Sequence, residues 1–101
     1  MSPRYKKQRQ CGFRLRGKAF KPVGIPMTMV DQVPLYRDEL EALRLCDRNG
    51  LTQDEAGKKM GVSRGTVQRI LSVARKKVAM ALSEGKAIVF EETLYKQGGI
   101  R

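Results

Sequence analysis

Apolar side chains recur along residues 34–82 at the three- and four-residue spacing that lines one face of a helix. From Pro34 to about Asp47, the residues Tyr36, Leu40, Leu43 and Cys46 share such a face and predict a first helix. Pro34 suits its first position, and Asp38, Glu39 and Glu41 favour its N-terminal half through the helix dipole. Asn49-Gly50 predicts its end. Thr52-Gln53-Asp54-Glu55 has the form of a capping box, with the Thr52 hydroxyl accepting from the Glu55 amide while Glu55 reaches back. It predicts a short second helix from Gln53 to about Met60, with Ala56 and Met60 turned inward. Gly57 costs ~1 kcal/mol in a helix interior, and the expected reason is a second helix passing closely over it. Gly61 ends this helix, Val62 is expected as a buried link, and Ser63 is a strong N-cap. Val67, Ile70, Leu71, Ala74, Val78, Ala81 and Leu82 then form the apolar stripe of a third helix, 63–82.

The flanks read differently. Residues 1–33 contain Pro3, Pro22 and Pro26 with Gly12, Gly17 and Gly24, a spacing that forbids a long helix and predicts an irregular arm. Phe20, Val23, Ile25 and Met27 are expected to pin that arm to the domain. In the extension 83–101, Ala87 to Phe90 is a short β-prone run. Glu92-Thr93 is the candidate turn of a hairpin leading to Leu94 and Tyr95. The fold class expected is mainly α: a three- to four-helix domain over 34–82, with the arm before it and the short C-terminal β-hairpin after it.

Charge sharpens this picture. The 101 residues, enough for one small domain, carry 21 Lys and Arg against 10 Asp and Glu, a formal charge of +11. Residues 1–30 hold eight bases and no acid; residues 31–57 hold seven acids against three bases; residues 58–77 hold seven bases and again no acid. A solvated surface normally mixes both signs, so the two basic blocks point to a polyanion, most simply nucleic acid. The longest apolar runs are far short of the ~20 residues of a membrane span, and Met1 to Gln10 leads into no apolar stretch, as a signal peptide would. There is no histidine, which removes imidazole bases and His–Cys zinc sites. Cys11 and Cys46 match no ligand spacing and read as two reduced thiols of a cytoplasmic protein. No metal or cofactor is expected. With no phosphate-cradling glycine loop and no paired carboxylates in an apolar setting, neither is an enzyme.

Two helices joined by a glycine-containing turn of three or four residues form a helix-turn-helix. Ala56, Met60, Val62, Val67 and Ile70 occupy the positions that must be buried where such helices cross. An ordinary helical hairpin would leave indifferent chemistry on the outer face of its second helix. Here that face offers Ser63, Arg64, Thr66, Gln68 and Arg69 near the N-terminus, where a recognition helix reaches base edges. Arg matches guanine bidentately and Gln matches adenine. Ser72, Arg75, Lys76 and Lys77, with Lys58 and Lys59 on the helix before, suit phosphate, which supplies affinity without sequence information. In the arm, Arg4, Lys6, Lys7 and Arg9 are candidates for tracking phosphates or entering the minor groove.

The stretches Asp38–Leu45, Gly50–Ala56 and Met60–Val67 resemble region four of bacterial sigma factors. That resemblance implies a compact helical domain whose last helix reads promoter DNA, often with a face that touches RNA polymerase. The basic Pro-containing start, the Phe20-x-Pro22-x-Gly24-x-Pro26-Met27 element, and Ala74-Arg75-Lys76-Lys77 leading into Ala81-Leu82 and Gly85-Lys86 are also similar to a family of small uncharacterised bacterial and archaeal proteins predicted to bind DNA. That similarity covers nearly the whole chain. The expected function is sequence-specific binding of double-stranded DNA as a transcriptional regulator, with a homodimer on paired half-sites formed through 83–97. The alternative is an adaptor whose acidic block, 31–57, docks on RNA polymerase or another regulator.

Overall fold

The structure is a computed structural model that describes residues 19–92. In chain order it holds β1 (Ala19–Phe20), β2 (Gln32–Tyr36), α1 (Arg37–Ala42), α2 (Gln53–Met60), α3 (Arg64–Glu84) and β3 (Ala87–Glu91). A π-helical turn, Leu43–Arg48, continues α1. The described residues are mainly helical, with one small sheet. The sheet order is β1-β3-β2, so the last strand lies at its centre. β3 runs antiparallel to β1 and parallel to β2, with Val33 opposite Ile88 and Leu35 opposite Phe90.

Three expectations are corrected here. Pro34 does not open a helix; it lies within β2, and α1 starts at Arg37 with Tyr36 as its N-cap. Val33 and Leu35 alternate into the core, and their strand is completed by residues more than fifty positions later, a partner that no local pattern displays. The Ala87 N–H donates to the Asp31 carbonyl at 2.8 Å. By the alternation of a strand, the missing N–H of Pro34 therefore faces the open edge, where proline is tolerated. Likewise Ala87–Glu91 is a strand, but it pairs backward with β2 and β1 rather than forward in a hairpin; the expected continuation through Thr93 to Tyr95 lies outside the described residues. Residues 19–33 are held by the β1 pairing and by an edge-to-face contact of Phe20 with Phe90, ring centroids 6.0 Å apart. Val23, expected to pin the arm, is instead 97% exposed, and Ile25 is exposed too.

The helices form as their caps dictate. Thr52 accepts from the Glu55 amide at 3.0 Å, and the Glu55 carboxylate accepts from the Thr52 N–H at 2.9 Å, closing the capping box of α2. Ser63 caps α3 by accepting from the Thr66 amide at 3.1 Å. Gly61 ends α2 in the left-handed region, φ +75°, a conformation nearly free of cost only for glycine. One buried cluster, Leu45, Ala56 and Val67, sits between the π-helical turn, α2 and the start of α3. The other, Val33, Leu35, Ala74, Ala81 and Ile88, sits between the sheet and the second half of α3. Among the described residues, Val67 and Leu71 are the largest fully buried side chains, each contributing about 1.5–3 kcal/mol of apolar burial. Two members of the expected apolar set fall outside the core: Val62 is 37% exposed and Leu82 is 77% exposed. Leu82 comes one residue after buried Ala81, and the 100° step per residue carries it round to the solvent face.

Candidate functional site

Gly61, Val62 and Ser63 form the whole connection between α2 and α3. A Cβ on Gly57 would lie 2.6 Å from the Val62 carbonyl oxygen, so only glycine lets the turn fold back on α2. The close neighbour is thus the turn's own backbone, not the passing helix that the sequence led one to expect. With Val67 buried against Ala56, α3 is rotated so that Arg64, Gln68, Arg69, Ser72 and Lys76 are exposed. Among the described residues, the side chains of Arg64, Gln68, Ser72 and Lys76 find no hydrogen-bond or ion-pair partner. Ser63 and Thr66 spend their hydroxyls on the cap and on each other, Oγ to Oγ1 at 3.0 Å. Arg69 donates from Nη2 to the Thr66 Oγ1 at 3.3 Å, which draws its guanidinium toward the first turn of α3. In the last turn of α2, Lys59 is exposed, and Lys58 stands 3.8 Å from Asp54 in a loose pair.

The remaining expected phosphate ligands are occupied within the fold. Arg75 clamps Asp47 with two bonds, Nε to Oδ2 at 3.0 Å and Nη2 to Oδ1 at 2.7 Å. Lys77 donates to Glu39 Oε1 at 2.7 Å and to the Pro34 carbonyl at 2.8 Å. Its ammonium also lies 4.4 Å from the centre of the Tyr36 ring. The Lys77 and Glu39 side chains are only 18% and 11% exposed, so this lysine belongs to the packed structure. Glu39 Oε1 accepts from the Tyr36 N–H as well, at 2.9 Å. Together Glu39 and Lys77 satisfy the outward polar groups at the end of β2, which blunts that edge against pairing. Nothing local marked these pairs, because their members stand 28 and 38 positions apart. The arm candidates Arg4, Lys6, Lys7 and Arg9 lie outside the described residues.

Comparison with known proteins matches residues 1–98 to a family described as "Protein of unknown function DUF134". This chain belongs to that family. A UPF0251 protein of Halothermothrix orenii is 49% identical over 90 residues, covering 89% of this chain and 67% of its own. A UPF0251 protein of Aeromonas salmonicida is 49% identical over 89 residues, covering 88% and 87%. One from Pyrococcus abyssi is 50% identical over 84 residues, covering 81% and 76%. The chain thus spans about two thirds of the length of several curated relatives that it matches. No solved structure matches.

Electrostatics in this DUF134 domain follow the same division of α3. The Arg75 guanidinium holds the Asp47 carboxyl below the usual carboxylate range, mainly through the hydrogen bonds between them. Burial, and then the charge of Asp47, push the Cys46 thiol up, which suppresses the reactive thiolate. Cys46, placed by the apolar spacing on the inner face of the first helix, is half-buried against the cluster around Leu45. Among the described residues no group of three or more Cys, Asp or Glu is placed to hold a metal ion. None of their helices is long and apolar enough to cross a membrane.

Proposed function

We propose that this DUF134 protein binds double-stranded DNA sequence-specifically and acts as a transcriptional regulator. In this reading α2, the turn 61–63 and α3 form a helix-turn-helix similar to sigma region four, and the first half of α3 enters the major groove. One observation carries the proposal: the tight turn orients α3 so that Arg64, Gln68 and Arg69 share an exposed face near its N-terminus, with Arg64 and Gln68 free of any described partner. Side chains with these hydrogen-bonding groups are the ones that read guanine and adenine edges. Lys76, Ser72, Lys59 and Lys58 flank them and contact phosphate. A module this small gains affinity by binding paired half-sites as a homodimer.

Support for the adaptor reading is thinner. In the acidic block, Glu39, Glu41 and Asp47 are engaged by Lys77, Arg44 and Arg75, so much of its charge is neutralised within the molecule. Selection from a duplex library with a randomised centre, using the full chain in moderate salt, tests the proposal. Enrichment of one motif is the expected outcome. Retention of all duplexes alike removes sequence specificity, and retention of none removes DNA binding.

A further inference from the structure

Five of the six described glycines are required by the fold. Gly24, Gly50, Gly61 and Gly85 have positive φ, and Gly57 faces the Val62 carbonyl at 2.6 Å. Gly65 is the exception. It lies in the first turn of α3 with an ordinary helical φ, and a Cβ built on it would meet only the Arg69 Nη1, at 4.0 Å, an ordinary contact with the end of a flexible side chain. Alanine would fit there and favour the helix, because glycine loses more backbone freedom on folding. The fold therefore gives no reason for the missing side chain. A second observation places chemistry at the same spot: Arg69 folds back toward Gly65, with its Nη2 tethered to the Thr66 hydroxyl at 3.3 Å.

We infer that Gly65 and Arg69 form one base-reading element. The bare backbone at Gly65 lets α3 seat close to the base-pair edges, as glycine does wherever a ligand must approach a backbone. Thr66 acts as a positioning residue, holding the guanidinium over that bare surface, where its fork meets a guanine. A methyl group at position 65, tolerated within the fold, would stand between the helix backbone and the base pair and hold α3 off the base edges. The inference rests on the DNA-binding reading proposed above and names the residue that sets the depth of docking.

The test uses the full chain with Gly65→Ala, Arg69→Ala and the double substitution. The probes are the duplex enriched by the wild-type protein and a scrambled duplex of the same composition. Gly65→Ala should keep or raise the melting temperature while weakening binding to the enriched duplex about tenfold or more, the size of one lost base contact. Binding to the scrambled duplex should change much less. Repeating the selection should show Gly65→Ala and Arg69→Ala losing preference at the same base pair, with the double substitution little worse than Arg69→Ala alone. Wild-type affinity and preference in Gly65→Ala would overturn the inference while leaving DNA binding intact. Loss of preference at different base pairs would overturn the pairing with Arg69. A wild-type chain that enriches no duplex overturns the DNA-binding reading itself.

Discussion

The two halves of α3 carry similar charge and use it in opposite ways. In the first half, Arg64 and Gln68 project into solvent with no described partner, and Arg69 is tied only to a hydroxyl of its own helix. In the second half, Arg75 and Lys77 are bound to acids brought from α1 and its π-helical continuation. Lys76 stands between those two in sequence yet remains exposed. A basic run is therefore not a measure of charge available to a polyanion. What decides is which side chains the packing has already supplied with a counter-ion.

The sharpest way to break this comparison is Lys77→Met, which leaves the Glu39 carboxylate without its cation. It should destabilise the domain by about 2–4 kcal/mol, somewhat less than the loss for a fully buried pair. The readout is a lower urea midpoint with an unchanged slope. If stability held and only DNA affinity fell, Lys77 would belong with the free cations. Next comes Gly57→Ala, which drives a methyl into the Val62 carbonyl and should cost about 1–3 kcal/mol as an overpacked site. A melting curve measures it, and an unaffected midpoint would mean that the turn does not need its close approach to α2.

In the first half of α3, the expected losses appear in binding rather than stability. Arg64→Ala should reduce discrimination at one base pair by about 1–3 kcal/mol, with the melting temperature unchanged. Lys76→Ala should weaken all sequences alike and lower the slope of affinity against salt by about one. Titrating both variants against the enriched and scrambled duplexes separates these roles. The smallest effect belongs to the exposed pair of Arg75 and Asp47. Because the carboxyl of Asp47 is held low, the pair stabilises the fold above the ordinary aspartate range and ceases to do so as pH falls through the lowered value. The gap in melting temperature between wild type and Arg75→Ala should therefore shrink on acidification. A gap constant from neutral to acid pH would show that the pair contributes nothing through charge.

Much of α2 and α3 was legible because their signals are local. Thr52, Glu55 and Ser63 satisfy amides within three residues, and the stripe through Val67, Leu71, Ala74 and Ala81 repeats with the period of the helix itself. Pro34 departs from its local signal for the opposite reason. It does suit a helix start, but the alternation of Val33 and Leu35 has meaning only once β3 lies alongside. At the candidate site, the exposed face of Arg64, Gln68 and Arg69 followed from that same helical period, since burying Val67 turns those side chains outward. The commitment of Arg75 and Lys77 could not follow from it, because their acids approach from other elements.

By itself the sequence determined where α2 and α3 begin, where glycine stops α2, and which helix face is apolar. Capping, left-handed turns and amphipathic period are set by residues only a few positions apart. Tertiary structure alone decided that β2 and β3 pair in parallel against α3 and that Val62 stays exposed. It also decided which cations of α3 are already neutralised. Each of these depends on groups distant in sequence meeting in space, where desolvation and direct contact, not composition, decide whether a charge or an apolar side chain remains available.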